Sequence, residues 1–121
     1  MSNQIPNPND KKYDLIERTG EFGKKLIEFV MALPKNSINN PLISQIVRSG
    51  TSIGANYTEA DGAESKKDFR HKIAICRKES KETMHWIKML VVANPSKKSE
   101  CRVLWKEVHE LALIFSSIIK K

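Results

Sequence analysis

From Cys101 onward, the residues Cys101, Leu104, Val108, Leu111, Phe115 and Ile118 recur in alternating steps of three and four. That spacing lays a single apolar stripe along a helix, the seam of a helical bundle. The same rhythm runs through Phe69, Ile73, Cys76, Ser80, Thr83, Ile87 and Leu90, and a looser version through Leu15, Ile16, Phe22, Leu26, Phe29, Val30 and Leu33. A helix carrying such a stripe cannot leave it in water, so these segments must pack on one another. There is no sustained two-residue alternation and no Asn-Gly hairpin signal, so strands have no place to form. The chain is therefore predicted to be all-α.

The breaks between seams set the topology. A first helix is expected to begin near Asn9 or Asp10 and to stop before Pro34. Asn40 followed by Pro41 reads as an N-cap with proline at the first helical position, opening a second helix that runs to about Asp61. Gly62 is expected to end it in the left-handed conformation, and Ser65 with Asp68 three residues later resembles a capping box. The third helix then covers Lys66 to about Ala93. Asn94, Pro95 and Ser96 interrupt it, and a fourth runs from about Lys97 to Lys120. Connections this short make sequential helices antiparallel neighbours, giving an up-down-up-down four-helix bundle over residues 10–121. Residues 1–9, polar and containing Pro6 and Pro8, are expected to be a disordered arm.

A chain of 121 residues that is 40% hydrophobic can fill one core. Its longest apolar runs, Met89–Ala93 and Leu111–Phe115, fall far short of the roughly 18 residues needed to span a membrane. The N-terminus lacks the apolar stretch of a secretory signal, so the expected location is cytoplasmic. Cys76 and Cys101 lie at different distances from the turn that separates their helices, an offset of about 20 Å at the helical rise. A disulfide needs Cα atoms within about 7 Å, so both are read as small core residues.

The second helix is unusual. Ser49, Gly50, Thr51, Ser52, Gly54 and Ala55 crowd its middle, and each glycine costs about 1 kcal/mol relative to alanine inside a helix. Close approach of another helix is the expected compensation. On its opposite side Arg48, Ser52, Asn56 and Glu59 fall within about 80° of arc. They form either a solvated stripe or a set of polar groups bonding to a neighbouring helix or subunit.

Twenty-one basic residues against 14 acidic ones give a net charge of +7, which favours anionic partners. The third helix concentrates this charge. Lys66, Arg70, Arg77, Lys81 and Lys88 lie within about 60° of arc over a length of about 33 Å, enough to follow a phosphate backbone. No aromatic residue interleaves the basic stripe, so base stacking is poorly supported. On the other flank Ile75, Trp86 and Met89 share a side with Glu79 and Glu82. Trp105, Ala112 and Ile119 make a comparable stripe on the fourth helix. Both are candidates for burial in a subunit interface.

Catalytic signals are missing. A di-metal bundle needs two Glu-x-x-His pairs, and only Glu82-Thr-Met-His85 is present: Lys106 stands three residues before His109, and Asp68 before His71. There is no glycine-rich phosphate loop, no CxxC pair and no nucleophile signature, so neither cofactor, metal nor enzymatic activity is expected.

The run Arg48-Ser-Gly-Thr-Ser-Ile-Gly-Ala-Asn-Tyr-Thr-Glu-Ala-Asp61, with Ser65-Lys-Lys-Asp-Phe69 and Lys78-Glu-Ser-Lys-Glu-Thr-Met-His-Trp86, resembles the bacterial four-helix bundle protein family. That family is also named for the 23S rRNA intervening-sequence protein. The resemblance extends over roughly Lys12 to Lys120. It implies an antiparallel bundle assembled into a ring-like pentamer, with reading frames often set inside ribosomal RNA inserts. A more distant similarity, to accessory proteins of diversity-generating retroelements, implies binding of RNA and a reverse transcriptase through a basic surface. Two functions therefore stay open: a homo-oligomeric adaptor associated with RNA or DNA, and an oligomeric scaffold whose partner is a protein.

Overall fold

The structure, a computed structural model, describes residues 11–120, with side chains from residue 15 onward. Among these residues four helices follow one another: α1 (Lys11–Met31), α2 (Asn39–Asp61), α3 (Lys66–Ala93) and α4 (Lys98–Lys120), with a 3-10 turn, Pro95–Lys97, before the last. Among the described residues there is no strand. The arm expected at residues 1–9 and the helix start expected at Asn9 or Asp10 lie outside the described residues.

Cross-helix pairs establish the direction of each neighbour. Positions rise along α1 as they fall along α2, with Thr19 beside Gly54 and Leu26 beside Gly50. Glu59 pairs with Lys72, and Ser49 with Thr83, so α2 and α3 are antiparallel. Lys88 and Val91 share a groove with Lys98 and Arg102, while Lys66 and Phe69 share another with Ile118, so α3 and α4 are too. Arg18 meets Glu107 and Glu110, and Lys25 lies alongside Val103, which closes α1 against α4. The result is the up-down-up-down bundle that short connections require.

The seams read from the sequence are the core. Ile73, Cys76, Ser80, Thr83, Ile87 and Leu90 of α3 are buried, as are Cys101, Leu104, Val108, Leu111 and Phe115 of α4. Leu15, Phe22, Leu26, Val30 and Leu33 face them from the α1 side, and Ile46, Ile53, Tyr57 and Ala60 from α2. Ile16 departs from the pattern: it is 40% exposed, and the buried position on that turn belongs to Thr19, whose hydroxyl donates to the Leu15 carbonyl at 2.7 Å.

Both glycines of α2 sit at the α1 crossing. A Cβ on Gly50 would lie 2.1 Å from Leu26 Cδ2, and one on Gly54 would lie 3.5 Å from the backbone of Thr19. At Gly54 the compensation is backbone approach, as expected. At Gly50 a core side chain occupies the space.

Two terminal assignments differ from the sequence reading. Asn40 does not cap α2; Asn36 does, its Oδ1 accepting from the backbone N–H groups of Asn39 at 2.7 Å and Ile38 at 3.0 Å. Pro41 is the third residue of α2. Gly62 ends α2 at φ −95°, ψ 11°, not in the left-handed region, and its N–H bonds to Thr58 O at 3.3 Å. The cap at Ser65 is present as read, its Oγ accepting from the N–H of Asp68 at 3.0 Å.

Asn39, which follows the cap, is buried. Its amide and that of Asn94 exchange two hydrogen bonds, each 2.9 Å. Asn39 also donates to the Pro34 carbonyl at 2.8 Å, and Asn94 to the Leu90 carbonyl at 3.0 Å. One end of the bundle is thus tied through the turns that precede α2 and follow α3. Cys76 and Cys101 are free and buried, and desolvation pushes their thiols up to about 12 and about 11. Such thiols carry almost no thiolate at neutral pH, in keeping with a packing role.

Candidate nucleic-acid interface

The basic stripe of α3 lies beside α4. Lys66, Arg70, Lys81 and Lys88 are exposed and Arg77 is half-buried. None of the five forms an ion pair with a described residue. Asp61 and Glu64 border the groove that holds Lys66 at one end of the stripe, and the carboxylates of α3 and α4 are turned elsewhere. On α3, Glu79 and Glu82 turn toward α2, where Arg48 pairs with both. On α4, Glu107 and Glu110 turn toward α1 and hold Arg18, whose guanidinium pKa is raised chiefly by its bond to Glu107. Asp68 and Glu100 also lie more than about 90° round their helices from the α3–α4 side.

To this side α4 adds basic residues of its own. At the helical repeat Lys98, Arg102 and Lys120 fall on or beside the face that α4 turns to α3, while Lys106 lies in the groove with α1. They are all exposed. The sequence reading confined the basic surface to α3. The antiparallel pairing of α3 and α4 widens it to two helices, because the C-terminal half of one lies against the N-terminal half of the other.

The pairing also supplies an aromatic group that the stripe on α3 lacks. A groove of about 340 Å³ between the helices is lined by Ile87, Lys88, Val91, Lys98, Cys101, Arg102 and Trp105. Trp105 is half-buried and its ring stacks on His109, with centroids 4.7 Å apart and planes 25° apart. Its Nε1 is the one buried side-chain polar atom among the described residues without a hydrogen-bond partner. Trp105 was read from the sequence as part of an apolar interface stripe; its i+4 spacing to His109 and its place seven residues after Lys98 were the available signals.

The residues assigned to a subunit contact come together on the α2–α3 face. Arg48 reaches Glu79 at 3.3 Å and also bonds to Glu82, which accepts from Trp86 Nε1 at 2.9 Å. Glu59 accepts from Lys72 at 2.7 Å, raising the pKa of the lysine. Ser52 and Asn56 donate to carbonyls of their own helix, at 2.6 Å and 2.8 Å. Ile75 and Trp86 are half-buried and Met89 is 36% exposed. The polar groups of this stripe therefore find partners within the chain.

The sequence model of the 23S rRNA-intervening sequence protein family matches residues 11–117. The chain belongs to that family. A crystal structure of a protein with unknown function from the S23 ribosomal protein family of Bacteroides thetaiotaomicron superposes with a TM-score of 0.83 at 31% identity. The alignment covers 92% of this chain and 99% of that one. No curated protein matches the chain.

Among the described residues, no group of three or more His, Cys, Asp and Glu side chains is placed to hold a metal ion. Glu82, the carboxylate of the single Glu-x-x-His pair, is taken up by Arg48 and Trp86, and the ring of His85 packs edge-on against Trp86. No helix of the described chain is long and apolar enough to cross a membrane.

Proposed function

We propose that this member of the 23S rRNA-intervening sequence protein family is a non-enzymatic RNA-binding adaptor that holds the phosphate backbone of structured RNA on its α3–α4 face. The observation that carries this reading is the segregation of charge. Acids on α3 are drawn to α2 by Arg48, and acids on α4 are drawn to α1 by Arg18, so neither helix sets these carboxylates on the shared face, and Asp61 and Glu64 border it only at its Lys66 end. A surface that merely aids solubility has no reason to sort its charges this way. The family takes its name from an intervening sequence of 23S rRNA, which makes structured RNA the first polyanion to test.

Assembly into a closed homo-oligomer is the second part of the proposal, and the pentamer implied by the resemblance is the size to look for. Met31 is 73% exposed on α1, and Ile16 and Ile27 line a shallow groove with Gly20, Gly23, Thr51 and Ala55. A second copy would cover these residues, whereas the Arg48–Glu59 stripe has already spent its polar groups within the chain. A ring would present one basic face per copy and multiply a modest contact by avidity.

Fluorescence anisotropy of a labelled RNA hairpin, titrated from about 50 to 200 mM salt, tests the binding. With about five phosphate contacts, log K against log salt is expected to fall with a slope of about −4. Light scattering on the same samples should give one mass, above the monomer and independent of concentration. A protein-scaffold function predicts no RNA binding at any salt.

A further inference from the structure

We infer that the groove beside Trp105 receives one unstacked nucleobase of the bound RNA, so that the protein prefers bulged or looped RNA to continuous duplex. This rests on the RNA-binding reading above and adds to it a selectivity that phosphate contacts cannot give. The groove has two unlike parts. Its floor is apolar, made by buried Ile87 and Cys101 with half-buried Val91, and its rim is cationic, made by Lys88, Lys98 and Arg102. A phosphate has no use for the floor. A base has a flat apolar face to lay on it, while its two flanking phosphates meet the rim.

The volume, about 340 Å³, sits at the small end of ligand pockets, which suits a single ring system and not an inserted helix. Trp105 supplies the stacking partner. It is held in place by His109, stacked on it at 4.7 Å. Its indole N–H is buried without an acceptor, a cost that a phenylalanine or leucine at this position would avoid. An indole kept at that cost, at the edge of a cationic groove, fits a role for its ring face. Base-on-aromatic stacking is sequence-tolerant, so the expected preference is for unpaired bases in general and not for one base.

The experiment compares two RNA hairpins in the full-length protein: one fully paired, one identical but for a single bulged 2-aminopurine. The bulged hairpin is expected to bind roughly five- to a hundredfold more tightly, and its 2-aminopurine emission to be quenched on binding. Trp105→Ala should bring its affinity down to that of the paired hairpin, which itself should not change. Trp105→Phe should keep most of the preference, which separates loss of stacking from loss of fold. Equal affinities for the two hairpins with unquenched 2-aminopurine would overturn the inference while leaving backbone binding in place. Binding to neither hairpin would overturn the RNA-binding reading, and the inference with it.

Discussion

Changing Arg70, Arg77 and Lys81 together to glutamate is expected to lower RNA affinity at least a hundredfold at low salt, with helix content and oligomer mass unchanged. Each substitution removes a cation from the α3–α4 face and adds an anion where there is none now. Counterion release makes each phosphate contact worth a large factor near 50 mM salt, and three reversals replace attraction with repulsion over the middle of the stripe. The fold should tolerate them. Arg70 and Lys81 are exposed, Arg77 is half-buried, and none of the three takes part in an ion pair with a described residue. Arg77→Gln serves as the control for its half-buried stem, keeping length and polarity without the charge. An unchanged affinity for RNA and DNA would remove this face from consideration and favour the protein scaffold.

The largest effect on stability from a single polar side chain is expected at Asn94. Asn94→Ala removes both hydrogen bonds to Asn39 and the one to the Leu90 carbonyl. Asn39 is 1% exposed, so its carbonyl oxygen would be left in the interior without a donor. A buried polar group deprived of its partner costs about 1–3 kcal/mol, and chemical denaturation should show a loss in that range. Asn39→Ala in the same background should cost much less than it does alone, because the partner is already gone. Additive losses in this double-mutant cycle would mean that the two amides act separately and that the pair does not tie the turns together.

How much of this was legible follows from where each constraint acts. The seams of α3 and α4 were readable because burial imposes a three-four spacing directly on sequence, and Phe115 and Ile73 are buried where that spacing puts them. The cap at Ser65 was readable because it is a contact between near neighbours. Three asparagines in five residues defeated the same logic at α2. Asn36, Asn39 and Asn40 are all acceptable caps, and the choice was settled by Asn94, which lies 55 residues from Asn39 and claims its amide. Gly50 and Gly54 announced a close approach, but only the packed helices show that Leu26 fills one space and the Thr19 backbone borders the other. The basic stripe of α3 was visible by its repeat. Its extension onto α4 was not, because a single helix does not reveal which neighbour each flank meets. That Arg48 and Trp86, candidates for a subunit contact, both bond to Glu82 was hidden for the same reason.

Cross-linking tests the central claim most directly. The full-length protein is bound at low salt to a structured RNA carrying 4-thiouridine, irradiated, digested and mapped by mass spectrometry. Binding on the α3–α4 face predicts cross-linked peptides from the Lys81–Val92 and Lys98–His109 segments, with Trp105 the most strongly modified aromatic residue. Cross-links confined to α1 and α2, or an absence of cross-links from RNA shown to be bound, would contradict it.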